Sequence, residues 1–279
     1  VMAGVPVESI NLIYIDPPFG FDGDSKFFGM PKWSTLDYPA NRIDDILPII
    51  PHDIGTRNYL RWLFDRLEQM YRILAEDGSI YVHCDWRVNS LIRLALDEAF
   101  GKENLRSEII WWYLWGGRGR EAWNKKHDMI LFYTKGRRWI FNCLDVLDDH
   151  QLMSDSARDR VKYKGALVHH REGKDGDIPR EKTLPSDTWY IATINAMASE
   201  RENYPTQKPE ALLERIIKAS SNEGDIVADF FVGSGTTAAV AEKLGRKWIG
   251  VDISERACGI ARQRIVEAQS QPELELSQK

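Results

Sequence analysis

Ile10-Asn11-Leu12-Ile13-Tyr14-Ile15 runs straight into Asp16-Pro17-Pro18-Phe19. The first six residues form the short, nearly continuous apolar run of a strand buried on both faces of a parallel sheet. The run stops at a carboxylate followed by two residues that lack a backbone N–H. Such a loop offers acceptors only: the Asp16 carboxylate and the Pro17 carbonyl, with no competing donor from Pro17 or Pro18. It suits a ligand that presents an amino group with two hydrogens, and Phe19 adds a flat apolar face beside the acceptors. The stretch therefore predicts a grip on the exocyclic amine of a nucleic-acid base, with the ring stacked on Phe19. Taken alone, Asp-Pro-Pro is equally well an ordinary strand-terminating turn. A second loop far along the chain decides between the two.

The intervening composition is that of a protein with a real core: 279 residues, 43% hydrophobic and 28% charged. A net charge of -5 argues against holding nucleic acid by overall positive charge and leaves room only for a local basic face. Cys84, Cys143 and Cys258 are too far apart for a zinc site and too few for a disulfide framework, so reduced thiols in a cytoplasmic protein are expected. His169 and His170 lack further ligands at metal-binding spacing, and no metal is expected. No apolar run approaches the ~18 residues of a membrane span, and the start lacks the charged-then-apolar order of a signal peptide.

In chain order, 20–55 is rich in Gly, Pro and Asp with scattered aromatics, and is expected to form a flap over an active site. Thr56 then caps an amphipathic helix with Leu60, Leu63, Phe64, Leu67, Met70, Tyr71 and Leu74 on its apolar face, ending near Gly78. Ser79 to Cys84 reads as a second buried strand, and Val88 to Ala99 as a helix stopped by Gly101. Strand, helix, strand, helix implies a parallel sheet with right-handed crossovers. Glu108 to Trp115 and Asp128 to Thr134 read as an antiparallel edge hairpin. Around it Arg118, Arg120, Lys125, Lys126, Arg137 and Arg138 interleave with Trp123 and Trp139, a weak signal for phosphate contact and base stacking. Residues 140–203 lose periodicity and are expected to be a small insertion that selects the substrate.

From Tyr204 the signal sharpens. Thr206-Gln207-Lys208-Pro209 opens a helix bearing Leu212, Leu213, Ile216 and Ile217 on one face. Asp225 to Asp229 is a strand, turned by Phe231-Val232-Gly233-Ser234-Gly235-Thr236-Thr237 into the helix Ala238 to Leu244. Lys247 to Val251 is the next strand, ending in Asp252, and Ser254 caps a last helix. A strand, a glycine turn, a helix start and an acid at the next strand tip are the geometry for an adenosine-containing cofactor. Gly233, Gly235 and Ala238 also satisfy the dinucleotide fingerprint, with Asp252 about 20 residues on, which raises an NAD-dependent oxidoreductase as a rival. Position opposes it. A dinucleotide fold opens with this loop, whereas here only one helix follows Asp252, so the remaining strands must come from the N-terminal half. The sheet is then circularly permuted, with the Asp16 strand beside the Asp229 strand, and the two loops meet where open α/β sheets bind ligands.

Asp16-Pro17-Pro18-Phe19, then Thr206-Gln207-Lys208-Pro209, then Phe231 to Thr237 together resemble the permuted, beta-group amino-methyltransferases of DNA. The likeness extends through Tyr81 to Arg87 and His127 to Lys135, most of the chain outside 140–203. It implies an α/β fold with a circularly permuted, Rossmann-like methyltransferase sheet: a catalytic half over 1–139, a target-recognition insertion over 140–203 and a cofactor half over 204–279. It implies S-adenosyl-L-methionine as donor and, because an aspartate opens the catalytic loop, adenine N6 in DNA as acceptor. Cytosine N4 or RNA is the alternative, and a catalytically silent DNA-binding relic another. By position, Asp16 and Pro17 hold the amine, with Pro18 and Phe19 completing the catalytic loop. Thr206, Lys208, Asp229, Phe231, Gly233, Ser234, Gly235, Thr236 and Thr237 surround the methionine portion, and Asp252 takes the ribose. Beyond DNA, the resemblance is compatible with a homodimer and with a cognate restriction nuclease, and no membrane partner is expected. Two departures stand out. Asp229-Phe230-Phe231 replaces the family's aspartate-proline-phenylalanine run, which is expected to loosen the turn. The family's strand and Gly-Asp segment ahead of the catalytic strand have no counterpart before Ile10, implying either a truncated chain or an incomplete adenine pocket.

Overall fold

A computed structural model describes residues 2–18, 39–45, 54–114, 119–149, 182–195, 197–202 and 204–270. Phe19, Trp115, Arg118, most of the flap expected over 20–55 and residues 150–181 of the expected insertion lie outside the described residues.

Seven strands form one sheet in the order β7-β3-β4-β2-β1-β8-β9, where β1 is Ile10–Ile15, β2 Leu74–Cys84, β3 Leu105–Trp112, β4 His127–Thr134, β7 Thr188–Tyr190, β8 Ile226–Asp229 and β9 Lys247–Gly250. Asp148–Asp149 (β5) and Lys182–Thr183 (β6) make a separate two-stranded pair. Within the large sheet only β4 runs against its neighbours. The chain enters at β1 and β2, continues outward to β3 and β4, and returns to lay β8 on the other side of β1. This is the permuted order expected from the two loops.

β1 is buried on both faces, which is why its sequence is apolar without alternation. Ile13 and Ile15 pack into a cluster with Leu63, Phe64 and Leu67 of α1 (Ile54–Ile73) and Ile92 and Leu96 of α2 (Asn89–Phe100). Leu12 and Tyr14 point the other way, into Leu212, Leu213, Ile216 and Ile217 of α3 (Glu210–Ser220) and Val240 of α4 (Thr236–Lys243). The last helix, α5 (Glu255–Ser270), closes over α4 through Val232, Ala238, Ala261 and Ile265.

Several boundaries differ from those expected, among them β3, which runs Leu105–Trp112 rather than Glu108 to Trp115. Helix α1 begins at Ile54, so Thr56 lies inside its first turn, and it ends at Ile73 rather than near Gly78. Its last carbonyls are taken by the chain entering β1, with Ser9 N donating to Ile73 O at 2.9 Å and Glu8 N to Arg72 O at 3.2 Å. Leu74 is in helical phase but pairs with Ile10 in the sheet, and the register then jumps to Leu12 opposite Ser79. The antiparallel hairpin of β3 and β4 is present, and β7 from the segment read as an insertion lies parallel outside β3. Trp111 Nε1 donates to Ile191 O at 2.8 Å, fastening it there. A three-residue strand has too little periodicity to be read from sequence. Of the expected flap, the described part 39–45 is held to α1 by an ion pair of Arg61 with Asp44 at 2.7 Å. Among the described residues no helix is long and apolar enough to cross a membrane.

Candidate active site

β1 and β8 are parallel neighbours, with Leu12 opposite Val227 and Ile13 opposite Ala228, so the loops that follow them leave the same edge of the sheet. They enclose a cavity of about 720 Å³. Asp16, Pro18, Thr206, Lys208, Asp229, Phe231, Gly233, Ser234, Thr236, Thr237 and Asp252 all line it. Two residues expected at the site stand behind the wall. Pro17 is buried. Gly235 serves packing instead: at φ 81° it begins α4, and a Cβ there would lie 2.6 Å from the Cα and Cβ of Ala261 in α5.

The glycine turn is tightly held despite lacking the family's proline. Asp229 Oδ1 accepts from Phe231 N at 2.9 Å, Val232 N donates to Val251 O at 3.0 Å, and Gly235 N donates to Val232 O at 2.8 Å. The expected loosening does not occur, because Phe230 turns into the core and the carboxylate takes over the constraint. Gly233 has φ 48°, and its N–H donates to Asp252 Oδ2 at 2.9 Å. Asp252 Oδ1 accepts from Ser254 N at 2.9 Å, and Ser254 Oγ in turn accepts from Ala257 N at 3.3 Å at the start of α5.

Three carboxylates, Asp16, Asp229 and Asp252, and three cations, Arg66, Lys208 and Arg256, line the cavity. Burial, reinforced by the charges of Asp16 and Asp252, pushes the Asp229 carboxyl up to about 7 against the hydrogen bonds from Thr237 Oγ1 at 2.6 Å and Phe231 N. Asp128 is also largely buried, yet His83, Lys208 and Tyr113 outweigh the desolvation and hold it below the usual carboxylate range. Its Oδ2 lies 3.2 Å from His83 Nε2, and His83 Nδ1 lies 3.4 Å from the Tyr14 hydroxyl, a buried chain across β4, β2 and β1. Burial and the surrounding carboxylates raise Tyr14 well above its ordinary value. Lys208 forms an ion pair with Asp16.

The basic residues expected to touch nucleic acid divide between two edges of the sheet. Cys84 pairs with Met129, so the start of β4 and the end of β3 rise from the same edge as Asp16. Arg120, Lys125 and Lys126 are in that connection, Lys125 Nζ sitting 4.0 Å over the Trp86 ring and Lys126 Nζ donating to Leu114 O at 2.6 Å. Arg137 and Arg138 follow the other end of β4, where Lys135 N donates to Gly78 O. They lie at the edge of the sheet opposite the cavity.

Several wall residues were missed in the sequence. Trp62 lies off the apolar stripe of α1, yet it is only 8% exposed, with its ring 5.7 Å from Phe231 and the Arg66 guanidinium 4.1 Å above it. Tyr204, Ile253 and Arg256 complete the rim. Behind the wall, Arg264 is the least expected. It is 4% exposed in α5 and donates to Thr236 Oγ1 at 2.8 Å, Ser234 O at 3.3 Å and Glu210 Oε1 at 2.7 Å. Its only sequence signal is an arginine on the small-residue face shared with Ala257, Ala261 and Ala268.

Comparison with known proteins agrees with this geometry. A model of a DNA methylase family, N6/N4 type, matches residues 10–263. The DNA adenine methyltransferase YhdJ of Escherichia coli K12 is 31% identical over 252 residues, spanning 90% of this chain and 74% of that protein. The type II methyltransferase M.HpaI of Haemophilus parainfluenzae is 32% identical over 259 residues, spanning 92% and 68%. Among solved structures, the PvuII cytosine-N4-specific DNA methyltransferase superposes with a TM-score of 0.60 at 16% identity, covering 100% of this chain and 84% of that one. The M1.HpyAVI–SAM complex gives 0.55 at 19%, covering 94% and 90%. With its sheet order, its paired loops and a family match from β1 into α5, this chain belongs to the N6/N4 DNA methylase family.

Proposed function

We propose that the protein transfers a methyl group from S-adenosylmethionine to the exocyclic N6 of adenine in DNA. The observation that carries this reading is the single cavity holding both Asp16 and the glycine turn. The relative named a DNA adenine methyltransferase supports adenine as the base. Cytosine N4 is the second reading, favoured by the likeness in fold to the PvuII enzyme.

The residues suit the donor on their own chemistry. Asp252 and Asp229 offer acceptors for hydroxyl and ammonium hydrogens, Gly233 lets backbone approach closely, and Trp62, Phe231 and Tyr204 provide aromatic wall. The cavity lies within the ~300–1,000 Å³ usual for small-molecule sites. When bound, S-adenosylmethionine supplies an electrophilic methyl group. Asp16 accepts an amine hydrogen, draws the nitrogen toward tetrahedral geometry and frees its lone pair for in-line attack. The target base must leave the duplex to reach Asp16, costing a few kcal/mol that stacking on Phe19 and contacts from Arg120 and Lys125 offset.

Duplex DNA of mixed sequence, incubated with the donor and digested to nucleosides, should yield N6-methyladenine by mass. N4-methylcytosine would establish the second reading, and no methylated nucleoside would defeat both.

A further inference from the structure

Lys208 sits in the motif expected to surround the donor, but its ammonium does something else. It forms an ion pair with Asp16 Oδ2, and both side chains are largely buried, 13% and 18% exposed. The other oxygen, Asp16 Oδ1, is buried without a hydrogen-bond partner among the described residues. A buried carboxylate oxygen left without a donor is costly and needs an explanation. The lysine is itself constrained at two further points. Its Nζ donates to Thr206 O at 3.2 Å, and Thr206 carries that carbonyl on a backbone with φ 62°, which a β-branched residue seldom adopts. Its own carbonyl accepts from Thr236 Oγ1 at 3.2 Å, the hydroxyl that Arg264 also holds. A rigid path thus runs from the start of α4 through the Lys208 backbone to the catalytic carboxylate.

We infer that Lys208 is a positioning residue for Asp16, clamping Oδ2 and so fixing the carboxylate that takes an amine hydrogen. This deepens the function proposed above and rests on it. The clamp fixes the carboxylate rotamer at the edge of the cavity. The donor is held by the other side of the cavity and does not require Lys208. A lysine that bound the donor's carboxylate would have to leave Asp16, and the two roles therefore separate experimentally.

The test uses the full chain with Lys208→Met and Lys208→Arg, together with Asp16→Ala. Donor affinity by calorimetry should stay within about threefold of wild type in Lys208→Met while kcat for methyl transfer to duplex DNA falls by about 100-fold. Lys208→Arg, which can still hold a carboxylate, should recover turnover to within about tenfold. A donor affinity that weakens in step with turnover, or an unchanged kcat, would overturn the inference. A readout independent of turnover comes from the slowly exchanging 15N ammonium signal of Lys208. It should vanish in Asp16→Ala both with and without donor. Its survival in donor-loaded Asp16→Ala would mean that the ammonium had moved to the donor, and would refute the clamp. If wild type methylated nothing, the function above would fail while this signal still judged the ion pair.

Discussion

The residue with the sharpest measurable behaviour is Asp229. With its carboxyl pushed up to about 7, it is mostly protonated at pH 6 and mostly ionised at pH 8. A cationic donor interacts favourably with the ionised form, so donor affinity should rise as pH climbs through 7, by close to tenfold between those limits. Calorimetry at the two pH values checks this, and Asp229→Asn should bind more weakly at pH 8 and lose the dependence. The sign for stability is opposite. A carboxyl whose pKa is higher folded than unfolded binds its proton more tightly in the native state. This group therefore makes the empty protein less stable as pH rises from about 4 to about 7. Denaturant midpoints should fall over that window less steeply in Asp229→Asn than in wild type. The sequence marks Asp229 as a strand-end acid beside a glycine turn. It gives no sign of a shifted pKa, which comes from the burial and from Asp16 and Asp252 brought near by folding.

At the scale of elements, the glycine turn depends on α5 as much as on its own residues. Gly235→Ala puts a Cβ into the Ala261 backbone at a left-handed φ, and should cost about 1–3 kcal/mol, read as a lower thermal midpoint. Arg264→Met leaves Glu210, Ser234 O and Thr236 Oγ1 without their shared donor, and removing one partner of so buried an ion pair should cost on the order of 3 kcal/mol. If Arg264 only fills space, an apolar replacement of similar length would leave the midpoint unchanged. Helices with strong periodicity, such as α2 and α3, and the continuous apolar run of β1 are legible in sequence because local pattern and tertiary environment agree. The end of α1 is not, since Leu74 fits both helix phase and sheet and only its pairing with Ile10 decides. Trp62 and Arg264 are invisible for a related reason, because each is defined by what another element places against it.

Over the whole molecule, the order of motifs along the chain carries more information than any motif by itself. A glycine turn with an acid on the following strand tip admits a dinucleotide enzyme. Only the requirement that the N-terminal strands complete the sheet puts β1 beside β8, and that adjacency brings the Asp16 loop to the turn. The catalytic half and the cofactor half are therefore readable as one cavity. The division of the basic residues between two edges is not, because it depends on β4 running against its neighbours. The central claim is that one cavity contains a donor side and a separate amine-holding side. Its most direct measurement compares wild type with Asp16→Ala, using calorimetric donor binding alongside transfer of labelled methyl to duplex DNA. The account predicts donor affinity within about threefold of wild type and a loss of transfer of about 1,000-fold or more. Transfer retained by Asp16→Ala, or donor binding lost together with it, would contradict the claim.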